Sequence, residues 1–278
     1  MNAKPSLRRW NIAAVVLVAM AITATLEPVT ADPAIPTGVV TGLNGPESAV
    51  WDQATDAWYI SVGGFSGSGG VMKLDSGSDT PEVFVDGMSG PQGVSIHEGF
   101  MYVADGDHVQ VIDMADPANQ LSIPTGGGAS DLDIDPETGD IYVSDLGGNA
   151  VWRIHGGVSE PFVEINQPDG LYVRDGGVFI ANFALSGPGG IFRFDIETKQ
   201  QTTVVEIPGA TLDGLEPDGD DWLATDFTKG HIWRVTADGS PTPVGQLLPG
   251  AADLGLDPES RTIAVPNLLL NHVTFMTI

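Results

Sequence analysis

GPESAVWD (45–52), GPQGVSIH (90–97), GASDLDID (128–135), QPDGLYVR (167–174), TLDGLEPD (211–218) and GAADLGLD (250–257) are six versions of one unit. Aligned on Glu47, Gln92, Ser130, Asp169, Asp213 and Ala252, they recur at intervals of 45, 38, 39, 44 and 39 residues. A steady period of about 40 residues marks a repeat architecture, whose units bury their apolar faces only against one another. Each copy continues alike, with a short apolar strand, an Asp-rich turn such as Asp135-Pro136-Glu137-Thr138-Gly139-Asp140, and an alternating second strand. The second strands read AWYISV, FMYVAD, DIYVSD, VFIANF, WLATDF and IAVPN. Third strands follow as VMKLD, VQVIDM, VWRI, IFRFD, IWRV and VTFMTI. Period-2 alternation with Gly, Pro and Asp punctuation predicts strands throughout.

Four strands in about 40 residues make a propeller blade, so the chain is predicted to be all-β, a six-bladed β-propeller of four-stranded blades. Fourth strands number five, PEVFVDG, QLSIP, EPFVEI, TTVVEI and TPVGQLL, because the sixth unit ends at Ile278 after three. An orphan segment, TGVVTGL (37–43), precedes the first unit and is expected to complete the last blade. Closure of that kind removes the unpaired edges that an open sheet exposes. A solenoid of the same period would leave the orphan segment without a role.

Composition agrees with this reading. The 278 residues include 36 Gly and 20 Pro, with 42% hydrophobic and 17% charged residues, which suits a turn-rich β protein and not a helical bundle. Eleven Lys and Arg stand against 37 Asp and Glu, a net charge of −26, which disfavours nucleic acid and anionic membranes as partners. No Cys is present, so disulfides, thiolate metal sites and Cys nucleophiles are excluded together.

The first 31 residues read as a separate segment. Lys4, Arg8 and Arg9 form a basic start, NIAAVVLVAMAITATL (11–26) is apolar, and Val29-Thr30-Ala31 offers a small-residue cleavage site before Asp32. That pattern predicts a secretory signal peptide over 1–31, cleavage near Ala31, and a periplasmic or secreted propeller over 32–278 with no stable membrane insertion after cleavage. Sixteen apolar residues are fewer than the roughly 20 that span a bilayer.

The start of each inner strand points into the mouth of the central channel, so Glu47, Gln92, Ser130, Asp169, Asp213 and Ala252 are expected to form a ring. Three carboxylates and two neutral oxygen donors then converge, an all-oxygen set suited to Ca²⁺ or another divalent cation. Asp131 and Asp253 come next along the strands, and Asp105, Asp145, Asn182, Asp226 and Asn267 end the second strands at the same face. These outer residues are read either as a second polar layer of the site or as caps on strand ends. The glycine-rich stretches GGFSGSGG (63–70) and ALSGPGG (184–190) are expected to wall the mouth. Ser66 lacks the last glycine of a nucleophile elbow, and the five histidines have no metal-ligand spacing.

At this point the sequence resembles a family, the gluconolactonase and regucalcin-like propellers, a group that also includes a calcium-dependent diisopropyl-fluorophosphatase. Glu47-Ser48-Ala49-Val50-Trp51-Asp52 looks like that family's opening motif, whose Glu is a metal ligand. Asp213-Gly214-Leu215 resembles its Asp-Gly-aliphatic motif, whose Asp is both ligand and base or nucleophile. Asp169-Gly170-Leu171 falls where the family has Asn-Gly-aliphatic, and Ser130-Asp131 where it has Asn-Asp. The resemblance implies a calcium-dependent hydrolase of a small lactone or ester, with Glu47, Asp169 and Asp213 on the metal and Asp213 catalytic. It implies Gln92, Ser130, Asp131, Asp145, Asn182 and Asp226 around the substrate or behind the ligands. A non-catalytic binding module with a structural calcium ion is the alternative, since a propeller alone does not specify chemistry.

Overall fold

Asp-rich turns set the size of the repeat. In the computed structural model, which describes residues 33–63 and 68–278, Asp135 accepts hydrogen bonds from Glu137 N (3.0 Å) and Thr138 Oγ1 (2.8 Å). Gly139 then takes a positive φ of 74° to reverse the chain. Asp52 and Asp257 close the corresponding turns of blades one and six in the same way. Such side-chain caps offer the backbone a tight reversal in place of a helix.

The strands between these turns form six antiparallel sheets of four. Blade four shows the pattern, with Pro168–Arg174, Gly177–Asn182, Gly189–Asp195 and Gln201–Ile207 paired in simple sequence from the channel outward. The predicted six-bladed propeller is therefore the observed fold, and the described residues contain no helix.

Blade six closes the ring. Its own strands are Gly255–Asp257, Thr262–Asn267 and His272–Thr277, and the N-terminal strand Ile35–Thr41 pairs antiparallel with the last of them. The orphan strand thus starts and stops two residues earlier than its sequence pattern suggests, with a register irregularity between Pro36 and Gly38. Ala34 N also donates to Val244 O of blade five at 2.7 Å. On the channel side, Asp253 N donates to Glu47 O at 2.9 Å, joining blade six to blade one.

Six apolar clusters occupy the six blade-to-blade interfaces. Phe179, Ile191, Leu212 and Trp222 belong to the one between blades four and five, while Val40, Trp58, Ile60 and Val273 belong to the one between blades six and one. Both faces of a blade are covered, so second strands such as Gly177–Asn182 and Ile141–Asp145 are buried at every position. Their alternation sorts residues between two apolar interfaces, where a half-exposed sheet would sort apolar from polar.

Candidate functional site

The inner strands approach so closely that side chains of one blade lie against the backbone of the next. A Cβ on Gly93 would stand 2.0 Å from Asp131 Oδ1 and 2.6 Å from its Cα, and one on Gly214 would stand 2.6 Å from Asp253 Oδ1. Glycine at these positions of the repeat is thus required by close approach. Inner-strand backbone is fixed from behind by hydroxyls of the second strands: Ser48 N, Asp131 N and Gly214 N donate to Ser61 Oγ, Ser144 Oγ and Thr225 Oγ1, each at 2.9 Å.

Two of the acidic residues knit blades together. Asp131 Oδ2 accepts from Leu171 N at 2.6 Å, and Asp253 Oδ2 accepts from Ser48 Oγ at 2.7 Å. Further along the channel Asp133 repeats the pattern, accepting from Ser95 Oγ (2.9 Å) and Val173 N (2.8 Å). There the channel opens into a cavity of about 210 Å³ lined by Asp131, Asp133, Glu216 and Asp253 together with Trp51 and Tyr172.

Glu47, Asp169 and Asp213 differ from these. All three are buried, and among the described residues none of their carboxylates receives a hydrogen bond, with Glu47 Oε2 fully enclosed and unpartnered. Burial pushes Glu47 well above the usual carboxyl range, and the charges of Asp213 and Asp169 push it further. Asp169 is raised by burial and then by Asp213, and Asp213 by burial and then by Asp253 and Asp226. The ring residues of blades one, four and five therefore sense one another across the channel, as like charges in a low-dielectric space must.

These shifts reverse the usual acid lability. Carboxyls raised in the folded state hold more protons there than in the unfolded chain, so they stabilise the fold at low pH and lose that contribution as pH rises through the folded values. Burial lifts Asp133 to about 6 and Asp253 to about 7, and Glu47, Asp169 and Asp213 move in the same direction. Four of the described carboxylates act oppositely, Asp195 and Asp238 at the surface, lowered by hydrogen bonds from Thr198 and Thr236, and Asp140 and Asp218. Hydrogen bonds from His155 and Arg153 outweigh burial at Asp140, and Arg261 and Arg234 hold Asp218 down, but their contributions disappear only below the ordinary carboxyl range. With chelator present, the thermal midpoint is expected to fall steadily from pH 5 to pH 8; a flat or rising profile in calorimetry would contradict the assignment.

The outer residues serve as caps. Asp105 accepts from Ser89 N and Gly90 N, Asp145 from Gly148 N and Trp152 Nε1, Asn182 from Gly190 N, and Asp226 Oδ1 from Thr211 N, Thr228 Oγ1 and Lys229 N. Asn267 binds Leu248 O, Pro249 O and Leu270 N. Only Asp226 among them also acts on a ring residue, through its charge on Asp213. Ser130 Oγ accepts from Leu146 N at 3.3 Å, while Gln92 is half-buried. Ala184–Gly190 leaves the ring face as expected, whereas Gly64–Gly67 of the other glycine-rich stretch, Ser66 and the signal-peptide segment lie outside the described residues.

Asp133 and Glu216 were not singled out in the repeat. Each lies three residues after its ring position, and Asp133 stands two after Asp131, so counting by two along the inner strand finds it on the same side. Burial, then the charges of Asp253 and Asp133, raise Glu216 well above its ordinary value.

The donor chemistry of Glu47, Asp169 and Asp213 fits a hard divalent cation: anionic oxygens only, one of them a buried orphan, and no competing hydrogen bonds. Among the described residues, however, no three His, Asp or Glu side chains are drawn together as a ready-made cage. Glu47, Asp169 and Asp213 are the residues that would have to close on the ion.

No protein-family model and no curated protein matches the chain. Solved structures do. A Xanthomonas campestris gluconolactonase is 14% identical with a TM-score of 0.71, covering 92% of this chain and 99% of that one. Regucalcin from Agrobacterium tumefaciens, a calcium-binding protein, is 13% identical with a TM-score of 0.70 over 90% and 96% of the two chains. An auxiliary nutrient binding protein from Bacteroides thetaiotaomicron is 11% identical, also at 0.70, over 84% of this chain and 69% of that one. At such identities the shared property is the fold: this chain is a six-bladed propeller of the shape that gluconolactonase and regucalcin adopt.

Proposed function

We propose that the protein is an exported, calcium-dependent hydrolase of a small lactone or ester, acting in the mouth of the central channel. One observation carries the reading: Glu47, Asp169 and Asp213 are buried, mutually repelling carboxylates without hydrogen-bond partners, an arrangement that strand capping does not explain. A divalent cation bound there would supply Lewis-acid polarisation of the substrate carbonyl. Asp213 is the base. Burial raises its proton affinity above that of an exposed carboxylate, which suits it to accept a proton from water. The water oxygen bonds to the carbonyl carbon, the ester C–O bond breaks, and the proton is returned to the departing alkoxide, giving acid and alcohol. Glu47 and Asp169 contribute charge and orientation to the cation. The third carboxylate at Asp169, where the resembled family has Asn, favours a tighter metal and a weaker Lewis acid.

A binding module with a structural calcium ion is the second reading, favoured by the fold it shares with a nutrient binding protein. The two separate in one experiment on the purified protein: metal content first, then hydrolysis of a lactone and aryl-ester panel with and without chelator. Hydrolysis that chelation abolishes and calcium restores supports the hydrolase; a calcium-bound protein inactive on the whole panel supports the module.

A further inference from the structure

A seventh apolar cluster lies outside the six blade interfaces. Phe183 and Phe227 are its buried members, with ring centroids 5.4 Å apart, and Leu146, Leu268 and Leu269 pack around them partly buried. In the repeat, Leu146, Phe183, Phe227 and Leu268 are the same residue, the one after the capping Asp or Asn of blades three to six. Their backbones are hydrogen-bonded to the start of the inner strands: Phe183 N to Gln167 O, Phe227 N to Thr211 O, Leu268 N to Gly250 O, and Leu146 N to Ser130 Oγ. Those acceptors are Ser130 itself or residues two before Asp169, Asp213 and Ala252, so the cluster stands on the rim of the carboxylate ring. Blades one and two carry Gly63 and Gly106 at this position. The apolar residues of this position are thus confined to blades three to six.

Apolar residues also reach the surface of the same face. Leu185 follows Phe183 by two residues and is 48% exposed, and Leu248 and Leu270 are 63% and 44% exposed. Asn267 ties the latter two segments together, donating to Leu248 O and accepting from Leu270 N. Exposed leucines thus flank the cluster on the face that carries the carboxylate ring.

Resting on the hydrolase reading, we infer that the substrate is lipophilic: a lactone or ester whose carbonyl end meets Asp213 while an alkyl or aryl arm lies along Leu146, Phe183, Phe227 and Leu268. Those four side chains offer no polar hydrogen-bonding group, so a polyhydroxylated lactone would lose hydration of its hydroxyls on that side without replacement. An alkyl arm instead gains about threefold to fourfold in affinity for each buried methylene.

The test pairs a binding series with a hydrolysis series on the calcium-loaded protein. Binding of the non-hydrolysable 2-hexanone, 2-octanone and 2-decanone is measured by calorimetry, and hydrolysis of γ-lactones of matching length and of glucono-1,5-lactone by pH-stat. Ketone affinity and lactone kcat/KM are expected to climb together with chain length. Phe227→Ala should flatten both slopes, and so should the exposed, fold-neutral Leu185→Ser for the longest members, with calcium affinity unchanged. Chain-dependent ketone binding with no hydrolysis upholds the lipophilic site and rejects the hydrolase. Ketones that do not bind, chain-independent binding, or a preference for glucono-1,5-lactone overturns the inference while leaving hydrolysis itself in place.

Discussion

Asp213→Asn is expected to reduce hydrolysis about 10²-fold or more while leaving calcium bound, the scale on which a lost acid–base group acts. Asn keeps an oxygen of the same reach for the cation and cannot take a proton from water, so the substitution divides the two roles assigned to this residue. The backbone is not at risk, because Gly214 N is held by Thr225 Oγ1 and the Asp213 carboxylate receives no hydrogen bond in the fold. Removing one of several crowded carboxylates should even raise the metal-free thermal midpoint slightly, since the charge that lifts Glu47 and Asp169 is gone. Retained calcium with full activity would take the base role away from Asp213. Calcium lost together with activity would make it a ligand only.

Deleting Ile35–Thr41 should have the largest effect on stability. The strand makes the outer edge of blade six, and its removal leaves His272–Thr277 unpaired and uncovers the cluster that Val40 shares with Trp58, Ile60 and Val273. Lost burial and an exposed edge together are worth several kcal/mol, hence a fall of about 10 °C or more in the thermal midpoint for a chain of this size. Replacing only Ile35, 62% exposed, by Ser should change the midpoint by about 1 °C or less. Equal midpoints for the two proteins would show that the ring is not held shut by its N-terminal strand.

The architecture was legible in the sequence because a propeller writes itself six times. Spacing from Glu47 to Ala252 fixed the blade count, and the five-for-six tally of fourth strands pointed to the N-terminal closure that Ile35–Thr41 provides. The two-residue offset arose because Leu43 looks like strand in the pattern yet is buried beyond the last paired residue, Thr41. Within the site, alignment of the repeats put Glu47, Asp169 and Asp213 at equivalent positions of blades one, four and five, where all three are buried. Alignment was not enough for the second strands: Asp145, Asn182 and Asp226 end at the same face, but the Oδ1 atom of each turns to nearby backbone N–H groups, a choice made by turn geometry that spacing does not carry, while Asp226 Oδ2 is left without a partner among the described residues. The knitting role of Asp131 and Asp253 was equally hidden, since their partners Leu171 and Ser48 lie 40 and 205 residues away.

The most direct measurement is the thermal midpoint of the wild-type protein as calcium is added at pH 8, where the ring carboxylates are most fully ionised and repel most strongly. A cation held by Glu47, Asp169 and Asp213 binds the folded state alone, so at about 100 times its dissociation constant it adds about 2.7 kcal/mol. For a chain of this length that is a rise of about 5–10 °C. Glu47→Gln, which removes the charge of the orphaned carboxylate, should need more calcium to reach the same rise. A midpoint that stays constant from chelator to millimolar calcium, in both proteins, would contradict a metal site in the channel mouth and reduce the ring to a set of buried acids.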